Sequence, residues 1–99
     1  MEKDIIVPIP PETSLKIERL FYEYTAGRES VKFLMKDSDV RWDILQNYVN
    51  VVETRYTELE MLKAAVGKEY LPNAICLSRE PYSFEFLFDQ SAIRFSVEN

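Results

Sequence analysis

The chain has 99 residues, of which 46% are hydrophobic, and a formal net charge of −5. This length predicts one domain over residues 1–99, and the hydrophobic share is enough for a packed core, which argues against a disordered chain. The basic residues are scattered among acidic ones, and this pattern argues against a nucleic-acid-binding surface, which needs clustered lysine and arginine.

Residue types that catalysis and metal binding commonly use are missing. There is no histidine, so the commonest general base and metal ligand are both absent. Cys76 is the single cysteine, and with two glycines there is no glycine-rich phosphate loop. We therefore expect no enzymatic activity, no cofactor, and no catalytic, cofactor-binding or metal-binding residue.

The predicted compartment is the cytoplasm. No apolar run approaches the roughly 18 residues of a transmembrane helix, so we expect no membrane partner. Residues 1–7 lack the basic start and the long apolar middle of a signal peptide.

Residues 1–11 are predicted to form an extended N-terminal arm. Prolines at positions 8, 10 and 11 exclude a helix interior and favour extended backbone. The apolar residues Ile5, Val7 and Ile9 alternate along it. An edge strand, a strap over the helices and a disordered arm all fit this pattern.

Residues 12–36 are predicted to form the first helix. Its apolar residues recur in steps of three and four: Ile17, Leu20, Tyr24, Gly27, Val31 and Leu34. Glycine costs about 1 kcal/mol relative to alanine in a helix interior, which indicates either close approach of another helix or a kink at Gly27. The polar residues 36–39 then break the helix, and Asp37, Ser38 or Asp39 is predicted to cap the next one.

Residues 39–71 are predicted to form one long amphipathic helix, antiparallel to the first because the connection is short. Its stripe consists of Leu45, Val49, Val52, Tyr56, Leu59, Val66 and Tyr70. From Val40 to Leu71 this helix would be about 46 Å long, more than two turns longer than the first. The end of the stripe near Val66 therefore needs a cover, from the C-terminal residues, a second copy of the chain, or both.

A second apolar seam is predicted beside this stripe. Its members are Ile44, Tyr48, Val51, Met61 and Ala65. Two adjoining seams on one helix indicate two neighbours, one within the hairpin and one elsewhere.

Residues 74–98 are predicted to form β-strands. Apolar residues alternate on both sides of a turn at residues 89–91: Tyr82, Phe84, Phe86 and Phe88 before it, then Ile93, Phe95 and Val97. This pattern predicts a β-hairpin with one aromatic face, to which Ala74–Leu77 would add a short strand.

Each residue capable of chemistry has a simpler structural interpretation. Six glutamates on the helices are expected to be solvated rather than to hold a metal: Glu18, Glu23, Glu53, Glu58, Glu60 and Glu69. Asp37, Asp39 and Asp43 lack the glycine-centred loop of a calcium site. We expect Cys76 to be buried between apolar neighbours, and Trp42 to cover the turn between the helices.

Four tyrosines fall on the helical stripes: Tyr24, Tyr48, Tyr56 and Tyr70. We expect them to pack in the core or at an interface with the hydroxyl at the rim. A tyrosine-lined ligand pocket is the alternative. A small-ligand or enzyme role would rest on these tyrosines and on Cys76.

The layout is similar to that of the small accessory proteins of CXXX-repeat peptide modification systems. The likeness lies in the segments 17–23 and 31–34, the long second helix and the terminal segment 84–89. It covers most of residues 12–97 in element order, without a diagnostic motif, and it implies a bacterial protein that binds a precursor peptide. No catalytic residue follows from it.

The sequence therefore predicts an α+β fold, in which an antiparallel helical hairpin with a long second helix precedes a small C-terminal antiparallel β-hairpin. Dimerisation into a four-helix arrangement would cover the second seam. The expected function is non-catalytic protein–protein interaction or scaffolding, as a homodimer with a protein or peptide partner. Precursor-peptide binding in a bacterial modification system is the alternative.

Overall fold

The structure, a computed structural model, describes residues 4–98. The elements in chain order are β1 (Asp4–Pro8), α1 (Pro11–Met35), α2 (Trp42–Glu69), α3 (Asn73–Ser78), β2 (Tyr82–Leu87) and β3 (Ala92–Val97), with a short 3-10 turn (Phe88–Gln90) before β3. Two long helices and a small three-stranded antiparallel sheet confirm the predicted α+β class. Residues 1–3 of the predicted arm lie outside the described residues.

The chain divides into two compact units. The first, which we name the sheet unit, comprises Met1–Lys16 and Lys63–Asn99. The second, which we name the hairpin unit, comprises Ile17–Leu62. The prediction of one domain over residues 1–99 stays a prediction.

In the hairpin unit, α1 and α2 face each other along the two predicted stripes. Ile17 and Leu59 are buried, and Leu59 is 2% exposed. A Cβ atom added at Gly27 would lie 2.9 Å from Cγ2 of Val52. Gly27 therefore allows close approach of the helices, and α1 continues through it as one helix.

The connection between the helices differs from the prediction. α2 begins at Trp42 rather than at residue 39, so none of residues 37–39 caps it. The Asp37 carboxylate instead accepts a hydrogen bond of 2.9 Å from the backbone N–H of Asp39, which turns the connection back on itself. Asp43 is the acidic residue in the first turn of α2, and it pairs with Arg41 at 3.0 Å.

The two helices are closer in length than predicted. α1 has 25 residues and α2 has 28. At about 1.5 Å per residue their lengths differ by less than one turn, so the predicted excess of more than two turns is wrong. α2 is one uninterrupted helix, as predicted.

The sheet has the strand order β1-β3-β2, with both pairs antiparallel. β1 resolves the alternatives for the N-terminal arm, because it is an edge strand in which Ile5 lies opposite Phe95. The predicted β-hairpin of β2 and β3 is confirmed, with Phe84 also opposite Phe95. Ser91 closes the turn in the left-handed conformation, at φ 47°.

The predicted strand at Ala74–Leu77 is wrong, because this segment lies in α3. Pro72 is the N-cap of this helix, and its carbonyl oxygen accepts the backbone N–H groups of Ile75 at 3.1 Å and Cys76 at 3.0 Å. Ile75 is buried, and its burial anchors the short helix.

The aromatic face of the sheet packs on the last turns of α2 within the sheet unit. Phe95 and Ile93 are fully buried. The ring of Phe84 lies against Gly67, where an added Cβ would be 2.6 Å from its Cζ atom. Val66, the neighbour of Gly67, is buried. The C-terminal strands therefore cover the end of the α2 stripe.

We expect Gly67→Ala to destabilise the protein by up to about 2 kcal/mol. Alanine gains about 1 kcal/mol over glycine in a helix, but overpacking against the ring of Phe84 costs about 1–3 kcal/mol. In a Phe84→Leu background the same substitution should recover the helix gain. Urea denaturation followed by circular dichroism measures all four variants of this cycle. Stabilisation by Gly67→Ala alone would show that the contact is absent.

Candidate functional site

The acidic side chains of the helices were the candidate metal ligands in the sequence. Residues 4–98 contain no group of three or more potential metal ligands from histidine, cysteine, aspartate and glutamate. The six glutamates are exposed, as predicted. Arg55 bridges two of them, with Nε 3.3 Å from Glu23 Oε2 and Nη1 3.1 Å from Glu58 Oε2.

The structure corrects the predictions for Cys76 and Trp42. Cys76 is a free, exposed cysteine rather than a buried one, because α3 turns Ile75 inward and leaves its neighbour in solvent. Trp42 is 74% exposed, so it does not cover the turn between the helices.

Two of the four tyrosines of the helical stripes contact each other. The rings of Tyr24 and Tyr56 are 5.3 Å apart between centroids and tilted by 44°, a packing contact between α1 and α2. A shallow depression of about 430 Å³ lies on the polar face of α2, lined by Asn50, Glu53, Thr54, Thr57 and Glu58. Its two threonine hydroxyls donate to the carbonyl oxygens four residues earlier, at 2.9 and 3.0 Å.

The hairpin unit has few buried residues and many exposed apolar ones. The structure describes this unit throughout, and only Ile17 and Leu59 in it are buried. Of the fourteen large hydrophobic side chains exposed among residues 4–98, ten belong to this unit: Phe21, Tyr22, Phe33, Met35, Trp42, Ile44, Tyr48, Val51, Tyr56 and Met61. Contiguous exposed apolar patches are common at interaction sites, so the arrangement of these side chains on the helices matters.

The most regularly spaced part of this surface is an edge of α2, which we name the outer seam: Ile44, Tyr48 and Val51. These side chains are 41%, 47% and 57% exposed, and their spacing of four and three residues places them on one line along the helix. Arg55, with its two glutamates, follows on the same line and ends the apolar strip with a polar cluster.

The outer seam is shorter than the seam predicted from the sequence. Met61 and Ala65 are also exposed, but Met61 lies about 100° around the helix from Ile44 at 3.6 residues per turn. The spacing of the first three residues was readable from the sequence, whereas their exposure required the packing of α1 against the neighbouring stripe.

The sheet unit presents a different kind of surface, an open strand edge. β3 is the central strand, so β1 and β2 each have one side without a partner strand among residues 4–98. β1 carries Pro8, which has no N–H group to offer a further strand. β2 contains no proline.

Comparisons with known proteins identify no relative. The chain matches no protein-family model, and no curated protein or solved structure matches it at a significant level. The resemblance to accessory proteins of peptide modification systems therefore stays a hypothesis. Among residues 4–98, no helix combines the length and apolarity needed to cross a membrane.

We expect the Cys76 thiol to react with a disulfide reagent in the folded protein, because the side chain is exposed. The measurement is the rate of thiol release from Ellman's reagent with and without denaturant. Comparable rates are expected. A thiol that reacts only after denaturation would show that Cys76 is buried and would contradict the placement of α3.

Proposed function

We propose that the protein is a non-catalytic interaction or scaffold module that acts as a homodimer through the outer seam. The observation that carries this proposal is the composition of the hairpin unit. Only two of its residues are buried, while an apolar edge of its longest helix faces solvent. Two helices packed along one stripe bury little apolar area. Helical proteins commonly bury more by packing two further helices against the first two.

A second copy fits the outer seam because the seam is nearly symmetric about its centre. Ile44 lies four residues before Tyr48, and Val51 lies three residues after it. When two such helices cross antiparallel at Tyr48, Ile44 of one copy meets Val51 of the other. This is the self-complementary pattern that a two-fold interface requires. Two hairpin units then form a four-helix arrangement.

The polar groups next to the outer seam would form the border of the proposed dimer interface. The Arg55 cluster lies beyond Val51, and the three seam residues themselves are uncharged. Interfaces commonly combine an apolar centre with a polar, solvated border. The exposed ion pairs contribute little energy, so the apolar residues supply most of the proposed affinity.

The second candidate function is binding of a precursor peptide in a bacterial peptide-modification system. The open edge of β2 favours this candidate, because an exposed strand edge can accept an extended peptide. Genes next to the coding sequence test it. A maturation enzyme together with a repeat-bearing precursor would support this function, and a neighbourhood without either would remove it.

We expect size-exclusion chromatography with light scattering to give the mass of a dimer at micromolar concentration. Val51→Glu should weaken the dimer at least about tenfold, equivalent to roughly 1.4 kcal/mol, because it buries an unpaired carboxylate in the seam. Thr57→Glu is the matched control, since it adds the same charge on the polar face of α2. Circular dichroism confirms that both variants fold. A monomeric wild-type protein, or equal effects of the two substitutions, would contradict the proposed interface.

A further inference from the structure

The pairing of β2 with β3 fixes which backbone groups of β2 point outward. The Glu98 N–H donates to the Pro81 carbonyl oxygen at 2.9 Å, so these opposed residues form a hydrogen-bonded pair. Such pairs alternate along an antiparallel ladder. The residues of β2 that bond β3 are therefore Ser83, Glu85 and Leu87. The residues whose N–H and C=O groups point away from β3 are Tyr82, Phe84 and Phe86.

The other side of β3 agrees with this assignment. The Ile9 N–H donates to the Ser91 carbonyl oxygen at 2.9 Å, so bonding to β1 uses the odd-numbered residues of β3. The backbone N–H and C=O groups of the even-numbered residues of β3 therefore point toward β2. β3 is therefore paired on both sides, and the outer edge of β2 is a separate, open edge.

The three outward N–H groups and three outward C=O groups of β2 have no hydrogen-bond partner within residues 4–98. β1 offers a poorer edge, because one of its three outward positions is Pro8. An open edge with a full set of donors and acceptors is a template for a further strand. Among the described strands, β2 is the receptive one.

We infer that this edge of β2 binds an extended peptide segment of a partner protein, in which apolar residues alternate with a basic residue. Tyr82, Phe84 and Phe86 share one face of the sheet, so alternate side chains of the bound strand would pack beside aromatic rings. Ser83 and Glu85 lie on the other face, where the bound strand would place its basic residue.

The side chains of β3 show which residues pair well with those of β2. Phe95 lies opposite Phe84, and their ring centroids are 5.8 Å apart. On the other face, Arg94 forms an ion pair with Glu85. A carboxylate has enough acceptor positions for a second basic partner. The pattern of β3, apolar–Arg–apolar, is therefore the pattern expected of the bound segment.

Charge favours a foreign segment over a second copy of β2. Self-pairing that uses all three outward residues centres on Phe84 and places Ser83 opposite Glu85. In that arrangement each copy keeps its own Arg94–Glu85 ion pair and no cation faces Glu85 across the new edge, whereas a basic peptide supplies one there. This inference rests on the proposed interaction role and names its partner class, but it does not depend on dimerisation through the outer seam.

The probe is a synthetic peptide with the sequence of residues 91–98, acetylated, amidated and fluorescently labelled. Fluorescence anisotropy should show saturable binding below about 1 mM. In hydrogen exchange followed by NMR, saturating peptide should slow exchange of the Tyr82, Phe84 and Phe86 amides by about tenfold or more. The amides of Ser83 and Glu85 should change little, because they already bond β3.

Variants separate backbone pairing from side-chain packing. Tyr82→Pro removes one outward N–H and leaves the ladder to β3 intact, so it should weaken binding by about 2- to 13-fold, the range expected for one net hydrogen bond. Tyr82→Val is the matched control, since it retains the N–H, and it should bind within about threefold of wild type. A peptide with glutamate in place of its arginine should bind about two- to fivefold more weakly.

Several outcomes would overturn the inference. These are absence of saturable binding, unchanged outward amides, or equal effects of Tyr82→Pro and Tyr82→Val. Protection that rises with protein concentration in the absence of peptide would assign the edge to a second copy. Repeating the titration with Val51→Glu separates the two proposals, because peptide binding should persist when the outer seam is disabled.

Discussion

The pairing of α1 with α2 along a single stripe is the constraint on which the hairpin unit depends. Gly27 lets the helices approach closely at Val52, and Leu59 is buried. A stripe of this width hides only one side of each helix, so the adjoining edge of α2 remains in solvent. The same amphipathic sequence that builds the hairpin thus creates the outer seam. In this account, self-association is a consequence of that limited burial.

In the sheet unit, apolar side chains are buried against other residues of the same unit. Phe84 packs on Gly67, and Phe95 and Ile93 complete a core that leaves Val66 buried. What stays open there is backbone rather than apolar surface, namely the outer edge of β2. The two units therefore offer different chemistry to partners. The hairpin unit offers apolar side chains, and the sheet unit offers directional hydrogen bonds.

Much of the fold was predictable because its patterns extend over many residues. The steps of three and four in α1 and α2, and the alternation in β2 and β3, each repeat often enough to define an element. The segment 73–78 was misread because four apolar or small residues fit a strand or a helix equally, and a segment this short has no periodicity that separates the two. Helix ends were off by up to three residues, which was enough to invalidate the predicted difference in length. Exposure of the outer seam, and the direction of the β2 amides, depend on pairing with other elements and are not visible in local sequence.

In the proposed homodimer, a second copy of the chain supplies burial that the hairpin unit lacks. The most direct measurement is the midpoint of thermal unfolding at protein concentrations from about 2 to 200 µM, followed by circular dichroism. Association of folded chains makes the midpoint depend on concentration, so the account predicts a rise of several degrees across this range. A midpoint that does not change with concentration would contradict it.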